Sequence, residues 1–332
     1  IASTLRTFTL DGNLLTSIPN WVFQMPELNE LSLYGNEIKS IEFPRNSHLI
    51  KIINLSFNPL TKITSDTNFN VQLLNLTQTQ LTSIPDLFLP QLKTLYLSKC
   101  CIEGHLDYTI CPDLSSLDIS SNKIQSLSDN FVNSCKFLTN LNLSNNLLES
   151  LPECFSCPPS LTKVSFSNNK LTTLPTAFMN SLSLENLNIS YNRIEKLPPF
   201  KFRQLRYLNI SNNQISELPD CFDISFFLTS LNASFNKLTD LPHSMISCRQ
   251  ILELNCTSNL FNHIPSVVFS FVTLKSLIFS GNTITTVPDS LSALLNLTTF
   301  DLSNNNVTKF PEFIQKMLEL RFISFSHNRI SS

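Results

Sequence analysis

Residues 138–152 read LTNLNLSNNLLESLP, which is the frame L-x-x-L-x-L-x-x-N-x-L-x-x-L-P. The asparagine of this frame returns every 21 to 24 residues, most often every 23, and Thr and Cys replace it in the fourth and fifth copies. The positions are Asn13, Asn36, Asn58, Thr79, Cys100, Asn122, Asn146, Asn169, Asn192, Asn213, Asn236, Asn259, Asn282, Asn305 and Asn328. Self-similarity at this period predicts a solenoid of fifteen repeats.

The x-L-x-L-x segment of each repeat alternates with a period of two, which predicts a short strand with leucine inward and x outward. One such strand cannot bury its own apolar face, but stacked neighbours form a continuous core. The frame asparagine then lies where the chain turns away from the strand, and its amide can satisfy backbone groups in its own and the adjacent repeat. Thr79 and Cys100 are poorer partners, so we expect repeats 4 and 5 to be irregular.

The Leu-Pro step should end strand pairing, because proline has no N–H to donate to a ladder. Another apolar residue follows about nine residues after each frame asparagine, and these residues should fill the other half of the core. They are Phe88, Phe131, Phe155, Phe178, Phe222, Met245, Val268, Leu291 and Ile314. Parallel strands lie about 4.8 Å apart, and the segments opposite them need more room. We therefore expect an α/β repeat solenoid, a horseshoe with a parallel concave β-sheet and an irregular, short-helical convex side.

The composition agrees with one large repeat domain over residues 1–332. The chain is 42% hydrophobic and 14% charged, with a net charge of −2, so no electrostatic footprint for nucleic acid or an anionic membrane is present. The sequence contains no apolar run of about 18 residues, which argues against membrane insertion. The chain opens with Ile1 and ends within a repeat, and no capping repeat is evident. We expect a segment of a larger protein.

The whole chain resembles the leucine-rich-repeat superfamily. The 23-residue form with Leu-Pro is similar to the arrays of Ras-pathway scaffolds, Ras-responsive adenylyl cyclases and leucine-rich-repeat protein phosphatases. The resemblance implies recognition of a macromolecule, usually a protein, on the concave face. The resemblance gives little information on the identity of that partner, because a fold does not determine a function.

The nine cysteines raise the question of metal or redox chemistry. Cys154-x-x-Cys157 has the spacing of half a metal site, but no second Cys or His pair follows at the spacing of a zinc site. The favoured interpretation is that both cysteines fill space as small hydrophobic side chains. Cys256 occupies an inward leucine position and should be core. Secreted members of the superfamily usually close their ends with clustered disulfides, whereas here neither terminus carries cysteine and the count is odd. This pattern favours a reducing compartment.

The sequence offers no catalytic constellation. No Ser/His/Asp set, nucleophile elbow, phosphate loop or kinase signature is present, and the histidines fall in unrelated positions of different repeats. They are His48, His105, His243, His263 and His327. We expect no enzyme, no cofactor, no metal and no small-molecule substrate.

Nine N-x-S/T sequons would suit a secreted glycoprotein. Seven of them place their asparagine at the middle x of L-x-L, where the Ser or Thr two residues later belongs to the repeat itself. These seven are Asn54, Asn75, Asn142, Asn188, Asn209, Asn232 and Asn255. Glycans there would cover the concave face. Asn296 and Asn306 lie off the strands and are the two sites where a glycan would fit without steric conflict. We favour the interpretation that the strand sequons are a by-product of the repeat sequence.

Apolar and aromatic outliers among the mostly Ser, Thr and Asn outward positions are the candidate binding residues. Repeats 2 to 5 carry Tyr34, Ile52, Phe57, Leu73 and Tyr96, flanked by Lys93 and Lys99. Repeats 9 to 11 carry Tyr191, Arg206, Tyr207 and Phe235. Repeats 2 to 5 also depart from the 23-residue spacing. They are the expected main contact, because binding sites often break the regularity that stability favours.

These observations favour a cytoplasmic protein–protein interaction module, a scaffold or targeting domain of a signalling protein that binds its partner on the concave face. The alternative is an extracellular ectodomain of the Toll-like receptor kind, which the sequons would favour. Glycosylation at the sequons would separate the two.

Overall fold

The computed structural model describes residues 4–44, 49–65, 70–87, 89–107, 113–134 and 136–331. The chain divides into two compact units, unit 1 (Ile1–Leu161) and unit 2 (Thr162–Ser332). Each unit is a stack of repeats with the same internal plan. The prediction that residues 1–332 form a single domain stays a prediction.

Unit 1 contains eleven strands, one α-helix and a 3-10 helix in its described residues. In chain order they are β1 (Thr7–Thr9), the 3-10 helix (Asn20–Gln24), β2 (Glu30–Ser32), β3 (Ser40–Phe43), β4 (Ile52–Asn54), β5 (Lys62–Ser65), β6 (Leu73–Asn75), β7 (Thr94–Tyr96), β8 (Glu103–Leu106), β9 (Ser116–Asp118), β10 (Lys123–Leu127), α1 (Asp129–Ser134) and β11 (Asn140–Asn142).

Unit 2 alternates eight strands with six 3-10 helices in its described residues. In chain order they are β12 (Lys163–Ser165), Phe178–Asn180, β13 (Asn186–Asn188), β14 (Tyr207–Asn209), Phe222–Ile224, β15 (Ser230–Asn232), His243–Ser247, β16 (Glu253–Asn255), Ser266–Ser270, β17 (Ser276–Ile278), Asp289–Ala293, β18 (Thr299–Asp301), Glu312–Lys316 and β19 (Phe322–Ser324).

The L-x-L strands pair in parallel within each unit, one strand per repeat. Unit 1 has the order β1-β2-β4-β6-β7-β9-β11, and unit 2 runs from β12 to β19 in chain order. Their middle residues point into the core, as Leu31, Ile53 and Leu208 illustrate with exposures of 0, 0 and 1%. The flanking residues of each strand face outward. This confirms the predicted alternation and the α/β repeat solenoid.

The frame asparagines connect consecutive repeats. Asn58 is typical: its Nδ2 donates to the carbonyl oxygens of Leu33 and Leu55 at 2.8 and 3.1 Å. Its Oδ1 accepts the backbone N–H of Ile38 at 3.0 Å. Leu33 and Ile38 belong to the preceding repeat, so one side chain satisfies backbone groups of two neighbours. This arrangement confirms the role predicted for the asparagine.

Repeats 4 and 5 replace these bonds by weaker ones. The Thr79 hydroxyl lies 3.2 Å from Cys100 Sγ, and Cys100 Sγ donates to the Leu76 carbonyl at 3.2 Å. Sulfur is a weak donor, and neither side chain carries the paired donors of an amide. The predicted irregularity of these two repeats is therefore visible in their bonding.

The side opposite the sheet is built largely as predicted. Pro242 and Pro265 immediately precede 3-10 helices, whose third residues donate to the proline carbonyls. Phe131, Phe155, Phe178, Phe222, Met245, Val268 and Leu291 are fully buried there. Ile314 is only half-buried, and its neighbour Phe313 is buried. Phe88 lies outside the described residues.

Unit 1 also has two parallel strand pairs opposite its main sheet, which the sequence analysis did not predict. Ser40 to Phe43 align with Lys62 to Ser65, and β8 aligns with β10 around a bulge between Ile124 and Ser126. Ile41, Phe43 and Ile63 alternate with polar residues and are buried. The alternation explains extended backbone in place of a helical turn.

Each frame asparagine follows a residue with a left-handed backbone. These residues have φ between 51° and 66°, and they are Gly12, Gly35, Phe57, Gln78, Lys99, Ser121, Asn145, Asn168, Tyr191, Asn212, Phe235, Ser258, Gly281, Asn304 and His327. Glycine and asparagine adopt this conformation most readily. A Cβ on Gly281 would lie 3.0 Å from Ser258 Oγ, so space as well as φ favours glycine there.

We predict that Asn213→Ala lowers the free energy of unfolding by about 1–3 kcal/mol, because partly buried backbone groups lose their partner. Asn213 Nδ2 donates to Ile189 and Ile210 at 3.0 Å each, and its Oδ1 accepts the Ile194 N–H at 3.0 Å. Denaturant unfolding of parent and variant measures the difference.

Asn186→Ala is the matched control, since Asn186 faces outward on β13 and should change stability little. The converse substitution Thr79→Asn should be neutral or stabilising, because it restores an amide at a deficient turn. An Asn213→Ala variant that unfolds like the parent would show that the ladder does not stabilise the stack.

Candidate functional site

The outward positions of the strands form one surface in each unit, which we call the sheet face. Repeat 10 defines four rows on this face: Tyr207 (row 1), Asn209 (row 2), Ser211 (row 3) and Asn212 (row 4). Because the strands pair in register, residues of one row lie on adjacent strands about 4.8 Å apart. The position of an outward residue in the repeat frame therefore gives its row on the sheet face, and its repeat gives its strand.

Most of the sheet face is neutral and internally hydrogen-bonded. In row 2, Asn188 Oδ1 accepts the backbone N–H and the hydroxyl of Ser190 at 3.1 and 2.7 Å. Asn232 and Ser234 repeat this arrangement at 3.2 and 2.8 Å. The N-x-S/T triplets of the strands thus have a structural role in the repeat, which agrees with the predicted origin of the seven strand sequons.

The residues predicted from repeats 2 to 5 form a group on unit 1, the unit-1 patch (Tyr34, Ile52, Phe57, Leu73 and Tyr96). Ile52 and Leu73 are register partners in row 1 of β4 and β6. Tyr96 lies in row 2 of the next strand, β7. The placement predicted for these three side chains is confirmed, and all three are half-buried.

Tyr34 and Phe57 extend the unit-1 patch beyond the ends of β2 and β4. Their ring centroids are 4.9 Å apart, and each side chain is about two-fifths exposed. The Tyr34 backbone N–H donates to Asp11 Oδ1 at 2.9 Å, which holds this row-3 position. The pair presents a continuous aromatic surface of two rings.

Lysines border the unit-1 patch. Lys51 and Lys93 immediately precede the row-1 positions of β4 and β7, and Lys99 is the row-4 residue of repeat 5. Among the described residues, none of the three forms an ion pair. Glu30 and Asp118 lie on the flanking strands β2 and β9, and Asp118 Oδ1 accepts the Ser120 N–H at 2.9 Å.

The residues predicted from repeats 9 to 11 form the unit-2 patch (Tyr191, Arg206, Tyr207 and Phe235), but the structure separates them into two groups. Arg206 and Tyr207 are at the start of β14. Arg206 lies 3.8 Å from Glu185 and 5.6 Å from the Phe227 ring centroid. Tyr191 and Phe235 are row-4 residues beyond the strands, with Asn212 between them. Both are more than half exposed.

The sheet face of unit 2 has a depression that was not predicted from the sequence. It has a volume of about 190 Å³ and includes Tyr207, Ser230, Glu253, Asn255 and Ile278 in its lining. Ile278 is an apolar outlier in row 2, and the repeat frame already marks it as outward. The cavity itself depends on small serines between larger neighbours, which a search for single outliers does not detect.

The described cysteines divide into core and surface groups. Cys256 and Cys248 are fully buried, and burial raises both thiol pKa values, that of Cys248 to about 12. Cys154 is exposed, which contradicts its interpretation as filler. Its thiol donates to Asp129 Oδ1 at 3.1 Å, and that bond raises the Cys154 pKa. Cys154 stands outward because Phe155 occupies the core position.

Neither a metal-binding cluster nor a helix able to span a membrane is present among the described residues. No group of three or more His, Cys, Asp or Glu side chains is placed to hold a metal ion. Within the same part of the chain, no helix has the length and apolar character needed to cross a membrane.

Comparison with known proteins identifies the repeat family in three segments. A family model described as "Leucine rich repeat" matches residues 112–171. A second, described as "Leucine Rich repeats (2 copies)", matches residues 182–221 and 272–316. Neither family model distinguishes the 23-residue Leu-Pro form from other leucine-rich repeats.

Among curated proteins, the chain is similar to Toll-like receptor 2 type-2 of Gallus gallus. The two are 28% identical over 184 residues, a match that covers 47% of this chain and 23% of the receptor. The chain therefore matches less than a quarter of the length of that relative.

Among solved structures, a plant peptide hormone receptor, RGFR1 in complex with RGF2, is 26% identical with a TM-score of 0.77. The match covers 99% of this chain and 56% of the receptor. YopM from Yersinia enterocolitica has a TM-score of 0.79 at 24% identity, over 99% of this chain and 66% of that protein, and shows the fold alone. The family models, together with the repeat fold, show that the chain belongs to the leucine-rich-repeat superfamily, a superfamily of protein-interaction modules.

Proposed function

We propose that this chain is a non-catalytic protein-binding module whose partner contacts the sheet face. The main contact is the unit-1 patch, and the unit-2 patch is a second contact. Aromatic and apolar side chains in a neutral polar surround are typical of binding hot spots, because they give large contact area for little loss of side-chain entropy. We expect this module to bind no nucleic acid, membrane or small-molecule substrate.

The observation that carries the proposal is the backbone conformation of three exposed aromatic residues. Phe57, Tyr191 and Phe235 have φ values of 57°, 55° and 55°. Most other repeats place Gly, Asn or Ser in the same row. A left-handed conformation costs a bulky L-residue about 1–2 kcal/mol. Strain of this kind at an exposed side chain is typical of a functional position, where another requirement outweighs stability.

For the cellular compartment, we propose the cytoplasm. The buried cysteines support this placement, because Cys256 replaces leucine at an inward strand position and Cys248 packs in the core. Both are free thiols. The odd total of nine cysteines supports the same compartment.

A receptor ectodomain is the second candidate. The similarity to Toll-like receptor 2 type-2 favours it, and so does the fold shared with a plant peptide hormone receptor. The sequons at Asn296 and Asn306 lie off the strands and would leave the sheet face open, although Asn296 Nδ2 donates to the Val272 carbonyl at 2.8 Å. Both candidates use the sheet face to bind protein, and they differ in compartment.

We predict that Phe235→Asn leaves the free energy of unfolding unchanged or raises it by up to about 1 kcal/mol, because asparagine adopts the left-handed conformation with less strain. Phe235 is 52% exposed, so little burial is lost. The reciprocal change Asn212→Phe, in the same row of the preceding repeat, should lower stability by about 1 kcal/mol. Equilibrium denaturation measures both. Marked destabilisation by Phe235→Asn would assign the ring to folding, not to binding.

We predict that Tyr96→Ala and Leu73→Ser each weaken partner binding by at least about 1 kcal/mol while scarcely changing the melting temperature. Affinity capture from the native cell with the parent chain identifies the partner, and titration with each variant measures the loss. Ser165→Ala, in row 2 of unit 2, is the control and should bind like the parent. If the Tyr96→Ala, Leu73→Ser double variant binds normally, the main contact is not the unit-1 patch.

We predict that protein from its native source has all nine cysteines reduced and all strand sequons unmodified. Intact mass spectrometry with and without thiol alkylation checks both points, since each free thiol adds one label. A mass increased by several hexose-rich glycans, and reduced by glycosidase, would contradict the cytoplasmic placement and favour the receptor candidate.

A further inference from the structure

Among the described residues that line the depression on the sheet face of unit 2, Glu253 is the one carboxylate, and none is a lysine or an arginine. Tyr207, Ser230 and Glu253 are consecutive register partners in row 1 of β14, β15 and β16. Tyr207 and Glu253 are therefore about 10 Å apart, two strand spacings, with the small Ser230 between them. The gap above Ser230 is part of the depression, which has a volume of about 190 Å³ and is lined by all three residues.

Glu253 is exposed and oriented by its neighbour. Ser230 Oγ donates to Glu253 Oε2 at 3.1 Å, which holds the carboxylate toward the gap. In the described part of the chain, Glu253 takes part in no ion pair, and Arg206, beside Tyr207, is engaged with Glu185 instead. A cation entering the gap would meet an oriented carboxylate whose second oxygen is available for a charge-assisted hydrogen bond.

The opposite side of the gap is aromatic. Tyr207 is half-buried and lines the depression. A planar guanidinium can stack on such a ring and donate to a carboxylate at the same time, whereas an ammonium group has no planar face. Ile278, in row 2 of β17, borders the depression and suits the aliphatic part of the same side chain.

Row 2 beside the depression presents a line of hydrogen-bond donors. Asn209, Asn232 and Asn255 are register partners on β14, β15 and β16. Each Oδ1 accepts the backbone N–H two residues later, at 3.1, 3.2 and 3.0 Å. A backbone N–H can only donate, so this bond fixes which amide atom is oxygen. The three Nδ2 groups remain as donors that can reach carbonyl oxygens of a bound peptide.

We propose that the depression between Tyr207 and Glu253 binds an arginine side chain presented by an extended segment of a protein partner. Glu253 pairs with the guanidinium, Tyr207 stacks on it, and the Nδ2 groups of Asn209, Asn232 and Asn255 donate to the carbonyl oxygens of the segment. The inference rests on the proposed function, that the sheet face binds protein, and assigns a partner chemistry to unit 2.

The test is a parallel selection of a random dodecapeptide library on the parent protein and on Glu253→Gln, a substitution that removes the charge and keeps the shape. Arginine should be enriched in the pool from the parent and return to its input frequency in the pool from Glu253→Gln. Glu312→Gln, an exposed glutamate on the opposite side of unit 2, is the matched control and should select the same peptides as the parent.

The best selected peptide then carries arginine or its neutral isostere citrulline in titrations against the same proteins. The arginine form should bind the parent about tenfold more tightly, the scale of a charge-assisted hydrogen bond. This preference should vanish in Glu253→Gln. Tyr207→Ala should weaken arginine-peptide binding several-fold, and Tyr207→Phe should restore it, because the ring stacks and its hydroxyl does not.

Absence of arginine enrichment on the parent, enrichment of lysine in its place, or equal enrichment on Glu253→Gln would overturn the proposal. So would equal affinity for the arginine and citrulline peptides. None of these results bears on the unit-1 patch, which the Tyr96→Ala and Leu73→Ser titrations test separately. Failure of the arginine site and failure of the protein-binding function are therefore distinguishable.

Discussion

The frame asparagine is the interaction on which the rest of the structure depends. A chain that leaves a three-residue strand and turns back leaves carbonyl and N–H groups inside the solenoid, away from water. One carboxamide satisfies them in two repeats at once, as Asn122 does by donating to the Leu97 and Ile119 carbonyls and accepting from the Ile102 N–H. An unsatisfied buried polar group costs about 1–3 kcal/mol. Because one asparagine satisfies such groups in two repeats, it fixes both the turn of its own repeat and the distance to the preceding one.

Because this bond fixes each repeat against the next, the sequence predicts the surface almost as well as the core. The frame alone placed Ile52 beside Leu73 and Tyr96 one row along, and the strand register agrees. In most folds, neighbours on a surface come from distant segments and cannot be inferred this way. In a solenoid each repeat contacts mainly its neighbours, so a position in the frame is also a coordinate on the face.

What the frame could not predict depends on backbone conformation and on differences between adjacent repeats. The left-handed residue before each asparagine was detectable, because Gly35, Asn145 and Gly281 occupy that row, but the strain at Phe57 and Phe235 requires measured φ values. The strand pairs opposite the main sheet of unit 1 arise from local alternation that competes with a helical turn. The unit-2 depression exists because Ser230 is smaller than its neighbours, a property of three strands together.

The sheet face combines hydrogen-bonded polar residues that stabilise the repeat with a few exposed aromatic residues that do not. The side-chain oxygens of the row-2 asparagines accept hydrogen bonds from the row-3 residues, and most of the face is neutral. Departures from that pattern are therefore few, and the bulky aromatics in row 4 carry a backbone penalty that Gly or Asn would avoid. A surface shaped by stability alone would not retain them. Their presence at exposed positions is the physical argument for the proposed contact on this face.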